Sequence, residues 1–225
     1  MRRTSSRKGA EAVGIAVTEA RFATEAAEPG KREQNAIRNR RAILEAARKV
    51  FCEVGYGAAT VRDIIRGTDL ATGTFYNYFP DKESVLRVLI EEFQRELRRR
   101  VHEAREQATS LEEMLHSAFR CCFRVFVEDQ VILELTLRNA GEIHDLTSAT
   151  AMEPAIRELV EDLRDKARQG IIPPVDIDYL AQAMVAVAAE LAFGMLRQKP
   201  ADVEGATRFA TELFLGGIER LSRKI

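Results

Sequence analysis

From Lys31 onward the apolar positions follow helical spacing. Ile37, Ile43, Leu44, Ala47, Val50, Phe51 and Val54 recur at three and four, arginines at 38, 40, 41 and 48 take the other face, and Gly55 and Gly57 stop the run. Thr60 then stands where an N-cap belongs. Asp63 at the third helical position makes a weakened capping box, and a second helix is predicted over about 61–66. Arg66-Gly67-Thr68-Asp69 is a turn of helix-turn-helix length. A third, short helix follows, with Leu70 and Phe75 facing inward, Phe79 just beyond and Pro80 closing the unit.

Asp81 is the next N-cap, and Val85, Leu86, Leu89, Ile90, Phe93, Leu97 and Val101 draw one apolar stripe along a long fourth helix. Arg98-Arg99-Arg100 in its C-terminal half reads as a solvated face. Ser110 caps a fifth helix whose only polar stripe is Glu113, Ser117, Arg120, Arg124 and Glu128, so neighbours should wrap it. Further helices are predicted at about 130–139, 152–168, 177–197 and 203–222, split by Gly141, by Gly170 with Pro173-Pro174, and by Pro200. The fold class is all-α, with eight or nine helices and no strand. Three segments emerge: a flexible arm over 1–31, a three-helix helix-turn-helix module over 32–80, and a larger all-α domain over 81–225. The run Tyr179 to Leu196 approaches membrane-spanning length, yet it contains Gln182 and Glu190 and is otherwise mostly alanine, which predicts a buried helix and no membrane.

Composition narrows the class. Of the 225 residues 46% are hydrophobic and 31% charged, with only 13 Gly and 6 Pro, which suits a globular helical protein. The net charge of -1 carries no global polyanion signature, but residues 32–80 sum to +3 and residues 81–225 to -6. A basic front on an acidic body is the pattern of a small polyanion-binding module fused to a partner domain. Cys52, Cys121 and Cys122 fit neither a disulfide framework nor a zinc site, and no secretory leader opens the chain, so a reducing cytoplasm is expected. Adjacent helical residues point about 100° apart, so Cys121 and Cys122 are read as structural thiols and not as a metal pair.

The chemistry concentrates between Thr60 and Lys82, in T-V-R-D-I-I-R-G-T-D-L-A-T-G-T-F-Y-N-Y-F-P-D-K. A short helix that shows Thr72, Thr74, Tyr76 and Asn77 outward, on a module anchored by Leu70, Phe75 and Phe79, has the dimensions to enter a major groove about 12 Å wide. The segment resembles the DNA-binding domain of TetR-type transcriptional regulators, with Gly73, Thr74, Tyr76, Tyr78, Phe79 and Lys82 at the matching spacing. That resemblance implies that Tyr76 and Tyr78 reach phosphates and thymine methyls while Thr60, Arg62 and Lys82 hold the DNA backbone. Two positions depart from the family pattern. Asp69 stands where Gly is usual in the turn, and Ala71 stands where Ser commonly caps the recognition helix, so the third helix is expected to start one or two residues earlier or to be capped by Asp69.

Beyond residue 81 the resemblance implies a domain that binds a small molecule and dimerises through its last two helices. Small residues from Ala181 to Gly194, and Val203, Ala206, Ala210, Leu213, Gly217 and Leu221 in the last helix, suit half of a four-helix bundle across a two-fold axis. Apolar candidates for the ligand site are Phe93, Met114, Phe119, Phe123, Phe126 and Met184, with Arg138, Asn139 and Glu190 as polar specifiers. His116 and His144 are further polar candidates. No nucleophile, phosphate-loop or metal-ligand motif accompanies them, so no cofactor, metal or catalytic residue is assigned. The expected function is a homodimeric regulator, read as a repressor, that binds a palindromic operator in double-stranded DNA and is shifted by a small, largely apolar effector. The alternatives are an all-α enzyme, or an interaction module with a vestigial helix-turn-helix.

Overall fold

The structure is a computed structural model and describes residues 30–129 and 149–223. The predicted helix at 130–139 lies outside the described residues, as do Arg138, Asn139 and His144 and nearly all of the arm. Among the described residues there are eight helices and no strand: α1 Lys31–Val54, α2 Val61–Arg66, α3 Thr72–Phe75, α4 Lys82–Glu106, α5 Leu111–Glu128, α6 Ala149–Arg168, α7 Ile177–Leu196 and α8 Val203–Ser222.

Contacts divide the chain into one unit ending at Asn39 and another from Arg40 to Ile225. In the first, the described residues are the opening turns of α1, begun by a hydrogen bond from Gln34 N–H to the Gly30 carbonyl. Ile37, placed in the apolar stripe on spacing, is 57% exposed, and the first buried residue of α1 is Ile43. Periodicity marks which face of a helix is apolar, not where along its length the cover begins.

The second unit holds two cores. In one, Ile43, Ala47 and Phe51 of α1, Ile64 and Ile65 of α2, Phe75 and Phe79 pack with Val85, Leu86, Leu89, Ile90 and Phe93 of α4 and with Val125 of α5. The helix-turn-helix core therefore continues through the first three turns of α4. The other core joins Met114, Leu115, Phe119 and Phe123 of α5 to Leu159 and Leu163 of α6, Leu180 and Met184 of α7, and Ala210, Phe214 and Ile218 of α8. As its single polar stripe predicts, α5 is the helix the others surround, packing on α4, α7 and α8.

Two of the helix starts are capped as the sequence marks them, at Asp81 and Ser110, and two more at Asp176 and Asp202. Side chains of Asp81, Ser110, Asp176 and Asp202 accept from the N–H groups of Ser84, Glu113, Tyr179 and Gly205. Gly55 ends α1 with φ +81°, a conformation that costs a side chain dearly. A device that spacing does not reveal closes α4: Lys166 of α6, nearly buried, donates its ammonium to the Glu106 and Ala108 carbonyls at 3.1 and 2.9 Å.

Helix α7 departs from expectation. Leu180, Ala181, Met184, Ala192 and Met195 are buried, but Ala183, Ala186, Glu190 and Gly194 are exposed. It has the length and composition to cross a membrane, and only one of its faces is buried in the chain. Within the single chain the helix is thus buried on one face only, since alanine is apolar enough for a core and small enough for a surface.

Candidate nucleic-acid interface and ligand cavity

The reading head is set by caps and one close approach. Thr60 and Asp63 form the full reciprocal box: the Asp63 N–H donates to Thr60 Oγ1 at 3.2 Å and the Thr60 N–H to Asp63 Oδ2 at 3.1 Å. The Thr60 hydroxyl also donates to Asp63 Oδ2 at 2.6 Å, and this bond leads the causes that lower the Asp63 carboxyl below its ordinary range. In the turn, a Cβ on Gly67 would stand 3.2 Å from Ala46 Cβ of α1, so glycine is needed there for proximity, with an ordinary φ of −80°. Thr68 braces the next residues: its hydroxyl donates to the Ile65 carbonyl and accepts from the Leu70 N–H.

Helix α3 begins at Thr72, with Ala71 as an N-cap that makes no side-chain bond. The earlier start and the Asp69 cap do not occur, because the Thr68 hydroxyl holds the turn that such a cap would occupy. Bonds from the N–H groups of Asn77, Tyr78 and Phe79 back to Thr74 and Phe75 carry the helical curl beyond α3. Phe75 is fully buried, with Tyr76 against its edge at 5.4 Å between ring centroids. The anchor thus aims its neighbours outward: Thr72, Gly73, Tyr76 and Asn77 are exposed and Thr74 half so. Tyr78 is half-buried against the core. Arg62 is exposed and makes no ion pair among the described residues.

Lys82 has a different place from the one its position suggests. Its ammonium donates to the carbonyls of Tyr56, Gly57 and Ala59 at 2.8, 3.2 and 3.0 Å and lies 4.6 Å from the Tyr56 ring centroid. All three N–H bonds point into the protein, closing the loop between α1 and α2, where a phosphate contact would need them free. The arginine run of α4 is likewise engaged, Arg98 with Glu158, Arg99 with Glu96 and Glu103, and Arg100 with Glu96 and Glu128. Arg99 and Arg100 together hold the Glu96 carboxyl down at about 2.

A cavity of about 110 Å³ opens between α4, α5, α6 and α7. Leu97, Arg98, Val101 and Arg105 of α4, Ala118, Phe119, Cys122 and Phe126 of α5, and Met152, Ala155, Glu158 and Leu159 of α6 line it with Met184, Val185, Ala188 and Ala189 of α7. Of the predicted ligand residues it gathers Phe119, Phe126 and Met184. Met114 and Phe123 are core filling, Phe93 borders a separate polar crevice with Arg48, Glu96 and Arg100, and Glu190 is exposed on α7. Glu190 carries a charge that the core side of α7 has no partner for, so it faces outward. The signal for the missed members was partly available: on α4, Leu97 and Val101 continue the apolar stripe, and Arg98 and Arg105 lie beside them at helical spacing. Cys122 is half-buried at this wall, and burial pushes its thiol up to about 12 and raises Cys121 as well, which disfavours the thiolate. His116 is exposed.

An all-helical chain with a buried anchor beneath an exposed third helix, backed by a helical layer around an apolar cavity, is a helix-turn-helix DNA-binding regulator. Residues 43–89 match the family described as bacterial regulatory proteins, tetR family. The HTH-type transcriptional regulator YhgD of Bacillus subtilis is 26% identical over 73% of this chain and 87% of its own. A TetR-family regulator from Syntrophomonas wolfei is 25% identical, with a TM-score of 0.63 over 79% of this chain and 93% of that one. The fatty acid degradation regulator FadR of Bacillus halodurans shares the fold, with a TM-score of 0.67 at 24% identity over 80% of this chain and 95% of its own. Residues 43–89 thus carry a TetR-type DNA-binding module, and over most of its length the chain is similar to transcriptional regulators of that family.

Proposed function

We propose that this regulator acts in the cytoplasm as a homodimeric repressor whose two α3 helices enter successive major grooves of a palindromic operator. The observation that carries this reading is the α3 surface, where Thr72, Tyr76 and Asn77 stand exposed around the buried Phe75. Tyr76, Asn77, Thr72 and Thr74 meet base edges, Gly73 lets the backbone come close, Arg62 takes a phosphate, and Thr60 and Tyr78 flank the contact. Lys82 contributes by holding the loop beneath them.

The second protomer is supported by an uncovered face. Tyr179, Ala183, Ala186 and Gly194 of α7, with Phe209, Leu213 and Leu221 of α8, are exposed, three of them large apolar side chains on the last helix. Small residues let helices approach closely, and a four-helix bundle of two copies buries this face. Two reading heads about 34 Å apart then match one helical turn of DNA. Effector in the cavity favours one spacing of the heads by binding that state more tightly.

The test is selection of bound sequences from random DNA by the purified protein. A palindrome is expected, with Tyr76→Ala and Asn77→Ala each weakening binding about tenfold or more at unchanged thermal stability, since a good base contact discriminates by about 1–3 kcal/mol. Sequence-independent retention, or variants that bind like the parent, would refute the assignment.

A further inference from the structure

Arg105 stands apart from the other groups at the cavity wall. The wall is almost wholly apolar, yet Arg105 lines it at 7% exposure. Its Nε and Nη2 both donate to Asp162 Oδ2, and Nη1 has no hydrogen-bond partner among the described residues. Among those residues no fully enclosed side-chain nitrogen or oxygen lacks a partner. Nη1 therefore keeps some accessible surface, and its side chain lines the void.

Among the described residues, the charges around it are already matched. Arg105 faces Asp162, and Arg98 faces Glu158 at 3.4 Å. On the far side of Asp162, His102 Nδ1 lies 3.0 Å from both carboxylate oxygens, and its Nε2 lies 3.6 Å from Glu106. A ligand carboxylate would lose its hydration in a site that offers no surplus positive charge. A carbonyl oxygen loses little and gains a bond from a charged donor.

We infer that the effector is a neutral, mainly apolar molecule carrying one carbonyl-type oxygen, which accepts a hydrogen bond from Arg105 Nη1. This rests on the cavity being the effector site proposed above, and deepens that reading by naming the ligand class. Neither the apolar lining nor the family likeness supplies the point, which comes from the open Nη1 of Arg105, the more deeply buried of the two arginines in the wall.

Calorimetry on the full chain tests it with medium-chain methyl ketones, n-alkanes of matching size and the matching n-alkanoates. The ketone is expected to bind about tenfold or more tighter than the alkane, as a charged donor adds to the apolar contact, and tighter than the alkanoate. Arg105→Lys keeps a cation for Asp162 but removes the open donor, and should abolish the ketone preference while retaining alkane binding. Should that variant fold poorly, the double change Arg105→Met with Asp162→Leu replaces the pair by apolar groups of similar size and carries the same expectation. Ala188→Phe fills the cavity and should abolish binding of every probe. Equal binding of ketone and alkane, a preference that survives in the Arg105 variants, or an alkanoate that binds tightest overturns the inference alone. Absence of all probe binding, or binding that Ala188→Phe leaves unchanged, overturns the effector cavity and the inference with it.

Discussion

Replacing Lys82 by Met separates two roles that its sequence position leaves entangled. The methionine keeps most of the apolar stem and removes the ammonium that reaches three carbonyls within 3.2 Å and lies over the Tyr56 ring. A hydrogen bond to a charged group contributes about 1.5–3 kcal/mol, and a cation over a ring about 0.5–2 kcal/mol. The three carbonyls share one charge, and that of Gly57 still meets water, so the bonds do not add in full. A loss of about 3 kcal/mol is expected. In a chain of this size that lowers the melting temperature by roughly 6–12 °C, read by calorimetry or circular dichroism. Arg in this place should recover only part of the loss, since a planar fork does not converge on three acceptors as an ammonium does. DNA binding at a temperature where the variant is folded should keep its salt dependence, whereas Arg62→Ala should reduce the slope of log K against log salt by about 0.9 per protomer without changing stability. A Lys82→Met protein that melts like the parent and loses that slope would refute the reasoning and return Lys82 to the phosphate backbone.

Three further outcomes follow from the geometry. His102 is raised above its ordinary 6.5 chiefly by its bond to Asp162, so its contribution to stability is full below about pH 6.5 and disappears as pH rises through the higher folded value. The melting temperature should therefore fall as pH rises above about 6.5, less steeply in His102→Gln, and an identical profile in the two proteins would contradict this. Gly67→Val should cost about 1–3 kcal/mol by crowding Ala46, and Ala46→Gly in the same chain should return part of it, whereas unchanged denaturant midpoints would show that the contact gives way freely. Leu213→Arg on the exposed face of α8 should convert a dimer to a species near 25.3 kDa in sedimentation, and a parent protein that already sediments at that mass would remove the dimer.

Local chemistry was legible in the chain: helix starts at Thr60, Asp81 and Ser110, stops at Gly55 and Gly170, and the anchor-and-surface pattern of Phe75 and Tyr76 each depend on residues within about four positions, where the helical period does the sorting. The cavity was only half legible. Phe119, Phe126 and Met184 share its wall with Arg105 and Leu97, while Phe123, with the same chemistry as Phe119, fills the core instead. Helical spacing tells which residues lie on one face, but which of two apolar faces meets a neighbour and which meets a void depends on how four helices pack.

Long-range partners were beyond the sequence altogether. Lys82, expected at the DNA backbone, and Lys166, which the sequence does not single out, close the ends of other elements, one over a loop 23–26 residues away and one 58–60 residues away. The chain on its own determined that helices would form, where most of them begin, and that one shows hydroxyls and an amide on its outer face, because these follow from contacts along a single turn. The tertiary structure alone decided which charges are free and which are held, because a lysine or arginine takes its role from the carbonyls and carboxylates that folding brings within about 3 Å of it.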